Sequence, residues 1–256
     1  MEIKTVQWNI GGGKLLHESS DPALISSYNV DGLETIIHFL RSWRPDIITL
    51  QETHQSDVSS QPKVIAEALG YEGWINDVTS NSHIEDRQKL GHGIVSRFPI
   101  LNHSFELFTN PHFKTIWEDG TTATSFDKGI TGCVVRLDDG TKMYVQTLHL
   151  VPFRRFNIDP SSEKARPILW ETEVKIGQSN ISRRLVQGDF NLDSPSLKPF
   201  LPSLFEQGLD EVVQEASTTP KDRRLDHVLF AGMKLVESVV VSDVLTDHYP
   251  IVTKFK

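Results

Sequence analysis

The chain has 256 residues, 38% apolar and 23% charged, with 16 Gly and 13 Pro, proportions that exclude a disordered chain and fit one large domain or two small ones; with no repeat, low-complexity tract or linker-like stretch, one domain over 1–256 is expected. Its single cysteine, Cys133, excludes an intramolecular disulfide framework and a cysteine-rich zinc site, and points to a reducing, cytoplasmic setting. A net charge of −8 argues against nonspecific wrapping of nucleic acid by Lys and Arg, but not against an acidic chain that grips phosphate through a cation.

No apolar run approaches the ~18 residues of a membrane span, and Met1 to Ile10 lack a basic stretch followed by an apolar one, so neither a span nor a targeting segment is expected. Val6, Trp8 and Ile10 alternate with polar neighbours, the period of a strand, which turns Asn9 to the opposite face just ahead of Gly11-Gly12-Gly13. Val30, Leu33, Ile36, Ile37 and Leu40 recur at helical spacing behind Asp31-x-x-Glu34, a capping box, and Pro45 closes the helix. Asp46 to Leu50 reads as a buried strand ending in Gln51-Glu52, followed by a helix from Pro62 to Leu69 and strands near 71–78, 92–96 and 99–107. Thr109 to Gly129 has no clear period and is expected to be a long loop carrying Phe113, Trp117 and Phe126, side chains suited to stacking on bases or to anchoring the loop. Strands at 131–137 and 141–149 join through Asp138-Asp139-Gly140, a good hairpin turn. A helix from Ser162 to Gln178 follows, then Leu185 to Gly188 running into Asp189-Phe190-Asn191. The last part gives a short helix near 199–206 and strands near 226–231, 234–241 and 249–255. Hairpins alternate with crossover helices, which favours an α+β sandwich with mixed sheets.

Acids, amides and histidines gather where strands begin or stop, at Asn9, Glu52, His149, the pair Asp189 and Asn191, Asp226, and the pair Asp247-His248. Strand ends share an edge of the core, so these residues can converge. Each alone is an ordinary turn or cap residue; the conjunction of six places is what argues for a site. Glu52, Asp189, Asp226 and Asp247 would repel strongly in a pocket without a cation. Oxygen ligands suit Mg²⁺ or Mn²⁺ rather than a thiolate metal. His149 and His248 add groups that handle protons near neutral pH. Asp189 and Asn191, two apart on an extended segment, can face the same way, one accepting from a water and the other donating to phosphate. Phosphoester hydrolysis is the chemistry that uses all of these parts. His54 reads as a loop histidine; His92 and His227, in apolar strands, read as core residues.

At these residues the sequence resembles the endonuclease/exonuclease/phosphatase superfamily. The segments are Gln7-Trp8-Asn9-Ile10, Leu50-Gln51-Glu52, Gly93 to Ile100, Thr147-Leu148-His149-Leu150, Gly188-Asp189-Phe190-Asn191, Arg224-Leu225-Asp226-His227-Val228 and Thr246-Asp247-His248-Tyr249-Pro250, in family order across nearly the whole chain. The resemblance implies a four-layered α/β/β/α sandwich of two mixed β-sheets with the site at one end. It implies Glu52 as the principal metal carboxylate with Asn9 and Asp247 beside it, Asp189 on the attacking water, and Asn191 on the phosphate. It further implies His248 on the phosphate with its tautomer held by Asp226, and His149 at the pentavalent phosphorus or the leaving oxygen. His149, where some branches carry tyrosine, is similar to the branch of deoxyribonucleases, tyrosyl-DNA phosphodiesterase 2-like and neutral sphingomyelinase-like enzymes. Val186-Gln187-Gly188-Asp189-Phe190-Asn191-Leu192 lacks the flanking residues of inositol 5-phosphatases. Thr246 stands where serine is usual and keeps the hydroxyl.

The expectation is therefore a Mg²⁺- or Mn²⁺-dependent phosphodiesterase acting on nucleic acid, as a monomer. A lipid headgroup or small phosphorylated metabolite is the alternative substrate, and a non-catalytic binding module on the same fold the lesser one. Arg154, with Arg155, Lys164 and Arg166 after it, is expected to meet phosphates flanking the scissile one. Glu85 and Asp86 are the candidates for a carboxylate that orients His149.

Overall fold

In a computed structural model, which describes residues 1–116, 120–177 and 179–256, the chain runs β1 (Ile3–Asn9), β2 (Lys14–Leu16), β3 (Tyr28–Asp31), α1 (Leu33–Trp43), β4 (Ile47–Gln55) and α2 (Gln61–Leu69). It continues through β5 (Gly73–Asn81), β6 (Lys89–Ser96), β7 (Ile100–Leu107), β8 (Lys114–Ile116), β9 (Thr122–Thr124), β10 (Gly129–Arg136) and β11 (Lys142–His149). α3 (Arg166–Gly177), β12 (Arg183–Asp189), α4 (Pro202–Glu206), β13 (Asp210–Glu211), β14 (Asp226–Ala231), β15 (Leu235–Val240) and β16 (Ile251–Phe255) complete it.

Among the described residues, two six-stranded sheets form, ordered β15-β16-β1-β4-β6-β5 and β13-β14-β12-β11-β10-β7. Each is mixed, because β1 runs parallel to β4 and β11 parallel to β12 while their other neighbours are antiparallel. Apolar side chains explain the layering. Val6, Trp8, Ile48 and Leu50 face outward onto Ile36, Ile37 and Leu40 of α1 and Ile65 of α2. Leu148, Val186 and Leu229 face outward onto Ile168 and Ile176 of α3 and Leu204 of α4. Between the sheets Ile3, Ile47, Val145, Leu185, Phe230 and Phe255 interdigitate, each buried side chain of this kind contributing about 1.5–3 kcal/mol. The result is the α/β/β/α sandwich that the sequence leads one to expect.

The inner face changes character along each strand. On β1 the inward positions read Ile3, Thr5, Gln7, Asn9; on β4 Ile47, Thr49, Gln51; on β12 Leu185, Gln187, Asp189; on β11 Val145, Thr147, His149. Apolar packing thus gives way to hydroxyls and amides, then to ionisable groups. The amide layer is stitched across the two sheets: Gln187 Nε2 donates to Thr5 Oγ1 at 2.9 Å, Thr49 Oγ1 to Gln187 Oε1 at 3.2 Å, and Gln51 Nε2 to Thr147 Oγ1 at 2.7 Å. Buried polar groups are tolerated when paired in this way.

Several local expectations change. Asp31 does not cap α1; it lies in β3 and its carboxylate takes the Lys14 ammonium at 2.6 Å, so Gly32 stands at the N-cap and Val30 is in a strand. α1 ends where Arg44 turns left-handed, with φ 49°, ahead of Pro45. Part of the expected 109–129 loop is the β8–β9 hairpin, whose short strands leave too few residues for a period to register. Trp117, singled out there, and Gln178, the expected end of the third helix, lie outside the described residues. His54 is not in a loop but in β4, buried, its Nε2 2.8 Å from Ser82 Oγ.

Candidate active site

Strand pairing assembles half of the site as one row. Gly129 of β10 pairs with His149 of β11, His149 with Asp189 of β12, and Asp189 with Asp226 of β14, so the three polar side chains stand side by side at the sheet edge. The opposite sheet supplies Asn9 at the end of β1. It also supplies Glu52 at a β-bulge between Gln51 and Thr53, where φ of 52° re-aims the side chain. A non-glycine residue held in the left-handed region costs about 1–2 kcal/mol. Asn191 has the same φ of 52°, a conformation that asparagine adopts at lower cost.

Asp247 and His248 precede β16 and are fixed from β1. The Trp8 indole N–H donates to the His248 carbonyl at 3.0 Å, and the Thr246 hydroxyl donates to the same carbonyl at 2.6 Å. Glycine is needed beside them: a Cβ on Gly11 would lie 2.9 Å from Asp247 Oδ1, and one on Gly12 2.4 Å from the His54 ring. Both have positive φ.

The resulting contacts run in a chain. His248 Nδ1 is 2.8 Å from Asp226 Oδ2, while Gln7 Nε2 donates to Asp226 Oδ1 at 3.0 Å. On its other side His248 Nε2 is 3.7 Å from Asp189 Oδ2, and His149 Nε2 is 3.3 Å from that same oxygen. Asn9 Nδ2 donates to it at 3.1 Å, and the Asn191 backbone N–H donates to Asp189 Oδ1 at 2.9 Å. The Asn191 side-chain amide spends one N–H on the Leu150 carbonyl at 2.9 Å, and its NH₂ retains a second donor. His149 Nδ1 is 3.7 Å from Glu52 Oε1.

Sequence reasoning missed Lys128. It is buried at 8% exposure, donates to the His149 ring 3.1 Å from Nδ1 and 3.2 Å from Nε2, and lies 3.9 Å from Glu52 Oε1. Its only signal was a lysine directly before the first, inward-packed residues of β10.

Burial and charge set the protonation pattern. Burial pushes Asp189 up to about 7, with His248 opposing and Asp226 reinforcing, and pushes Asp247 up to about 6, with Glu52 and Asp226 adding to it. Burial works against the His248 cation, yet Asp226 and Asp189 together hold its pKa well above the ordinary value. His149 is driven well below it by burial and then by Lys128, so its ring is neutral and offers a lone pair. Burial raises Glu52, but Lys128, His83, His248 and Arg155 together outweigh it and hold the carboxyl below its ordinary value. Burial lowers Lys128, with Glu52 opposing.

Two carboxyls displaced upward by burial and by their acidic neighbours mean that the cluster is short of positive charge. A hard dication fits that deficit, and Glu52, Asp247 and the Asn9 carbonyl oxygen are donors of the right kind. Asp189, Asp226 and His248 also bring three ligand atoms within 4.8 Å of one another. In that trio Asp226 and His248 are already bonded to each other, which suits proton handling better than ligation.

All of these residues border a cleft of about 1190 Å³, except Asp226, which lies behind His248. Arg154 and Arg155 line it, with Arg154 3.7 Å from Asp193. Lys221 and Arg223 line it too, from a loop in which no motif or periodicity singles them out. Lys164 and Arg166 do not line the cleft; Arg166 pairs with Glu163. Phe126 stacks on His83 at 4.6 Å within the cleft, whereas Phe113 packs on Phe156. Glu85 is engaged by Lys14 at 2.6 Å rather than by His149. His227 is a core residue, bonded to Glu211 at 3.2 Å, and His92 is buried beside the His149 ring.

An endonuclease/exonuclease/phosphatase from Beutenbergia cavernae DSM 12333 is similar over 100% of this chain and 71% of its own, with 18% identity and a TM-score of 0.76. The human Nocturnin catalytic domain with bound sulfate is similar over 100% of this chain and 93% of its own, with 16% identity and a TM-score of 0.67. A mannosyl-6-phosphatase of Bacteroides thetaiotaomicron VPI-5482 is similar over 99% of both chains, with 15% identity and a TM-score of 0.62. These likenesses show the fold. No curated protein matches the chain. The model of the Endonuclease/Exonuclease/phosphatase family matches residues 6–248, and the chain belongs to that family of divalent-metal-dependent enzymes that hydrolyse phosphoesters.

Proposed function

We propose that the enzyme hydrolyses phosphodiester bonds in nucleic acid by attack of water on phosphorus. The observation that carries this reading is the distribution of charge in the cleft. Beyond the acidic row, the walls present Arg154, Arg155, Lys221 and Arg223, although the chain as a whole carries −8. Four cations on the walls of one cleft, with Asp159 and Asp193 among them, suit a substrate with several phosphates. The stacked Phe126–His83 pair offers a flat surface for a base.

Glu52, Asp247 and Asn9 would hold Mg²⁺ or Mn²⁺. When bound, the ion offsets charge on the phosphoryl oxygens. Asp189, held by the N–H groups of Asn9 and Asn191, orients the attacking water and accepts its proton. His248, kept cationic by Asp226, donates from Nε2 to a phosphoryl oxygen. Asn191 contributes its second amide N–H to the phosphate, and His149 faces the leaving oxygen.

The competing substrate class is a small phosphorylated compound or lipid headgroup. Exposed Leu24 and Ile25 near the cleft favour it, at 42% and 44% exposure, and the similar Bacteroides protein is a mannosyl-6-phosphatase. A panel of single-stranded DNA, duplex DNA, RNA, sphingomyelin and inositol phosphates with Mg²⁺ or Mn²⁺ decides between them. Faster turnover of the nucleic acids is expected, and preference for either of the last two overturns the assignment.

A further inference from the structure

We infer that Lys128 is a phosphate-contacting residue, its ammonium binding a non-bridging oxygen of the substrate phosphate beside His149. The inference rests on the phosphoesterase reading above and adds to it a cationic group that belongs to the protein itself.

A buried lysine ordinarily satisfies its charge in a close ion pair. Among the described residues Lys128 does not: its nearest carboxylate oxygen, on Glu52, is 3.9 Å away, and its close contact is the neutral His149 ring. An ammonium has three donors, and this contact occupies one of them. The backbone holds the side chain in place. Phe108 N–H donates to the Lys128 carbonyl at 2.9 Å, and a Cβ on the next residue, Gly129, would lie 2.7 Å from the Glu106 carbonyl oxygen, so the strand is clamped against β7. Gly129 itself pairs with His149, which brings the lysine to the end of the His149–Asp189–Asp226 row, and Lys128 lines the cleft. A phosphate entering there meets Glu52, Asp189 and Asp247. A group with donors to spare at that position lowers the repulsion that the substrate would otherwise meet.

The test is calorimetric titration of inorganic phosphate into Mg²⁺-loaded protein. Wild type is expected to bind phosphate, and Lys128→Met to lose at least about tenfold in phosphate affinity, with Mg²⁺ affinity unchanged or tighter because a competing cation has gone. Lys128→Met that binds phosphate as wild type does would overturn the inference and leave the lysine a counter-ion of Glu52. Should that variant not fold, wild type itself is acetylated with acetic anhydride, with and without phosphate, and Lys128 is followed by mass spectrometry. Protection by phosphate supports the contact, and equal labelling overturns it. Wild type that binds neither Mg²⁺ nor phosphate would overturn the phosphoesterase reading rather than this one.

Discussion

Asp226 divides its carboxylate between two partners: Oδ2 holds His248 Nδ1 at 2.8 Å, and Oδ1 receives the Gln7 amide at 3.0 Å. The histidine at the cleft is therefore tied, through one buried acid, to the amide layer between the sheets. Asp226→Asn is expected to lower kcat on bis-p-nitrophenyl phosphate by about 10²- to 10⁴-fold, since the imidazolium loses its counter-charge and its fixed orientation. Gln7→Leu, which frees one oxygen, is expected to cost about tenfold in kcat with KM little changed. Normal rates in both variants would place the proton chemistry elsewhere.

Asp189→Asn and His248→Ala are expected to abolish turnover while urea unfolding remains cooperative. EDTA is expected to do the same to wild type, with recovery on adding Mg²⁺ or Mn²⁺. Near-normal activity in either variant would remove that residue from the reaction.

Metal affinity follows from the two displaced acids. Asp247 near 6 and Asp189 near 7 retain protons in slightly acidic solution, and an ion entering the cluster must displace them. Mg²⁺ affinity is therefore expected to climb with pH to about 7 and then level off. Proton release should be large at pH 6 and small at pH 8, as measured by calorimetry in buffers of different ionisation heat. A flat profile would mean that the ion avoids these carboxyls.

His92 sets an acid limit on stability. Burial, then Lys128, lowers it to about 3, against an ordinary value near 6.5. Between those values the unfolded chain binds a proton that the native state refuses, so this contribution to stability is complete above pH 6.5 and is lost as pH falls toward 3. Over the 1.5 units from pH 6.5 to pH 5 one such proton is worth roughly 2 kcal/mol. His92→Gln should show a smaller loss of stability between pH 7 and pH 5 than wild type in urea titrations; equal losses would refute the assignment.

Gly12→Ala tests the tight turn after β1. With φ at 67° and a Cβ 2.4 Å from the His54 ring, the substitution is expected to cost about 1–3 kcal/mol in thermal unfolding. It should lower kcat as well, because the adjoining Gly11 packs against Asp247.

The sandwich and most of the site residues were legible because their signals are local. Val6, Trp8 and Ile10 announce a strand whose other face carries Asn9, and each acid or histidine at a strand end marks the same edge. What escaped depends on pairing between distant segments. Asp31 has the spacing of a cap, yet Lys14 claims it through the β2–β3 pairing. Lys128 looks like an ordinary charge ahead of a strand, and only the neighbouring β11 and β4 reveal that its ammonium is enclosed. Lys221 and Arg223 sit in a loop whose approach to the cleft no periodicity encodes.

The acids and imidazoles hang from strand termini locked by backbone ladders, whereas the cations and aromatic rings that would greet a substrate sit mainly on intervening loops. On the proposed reading, reactivity and selectivity are carried by separable parts of the polypeptide. Exchanging the segments around Arg154 or Lys221 for those of a relative is expected to redirect which ester is admitted while the hydrolytic machinery stays in place.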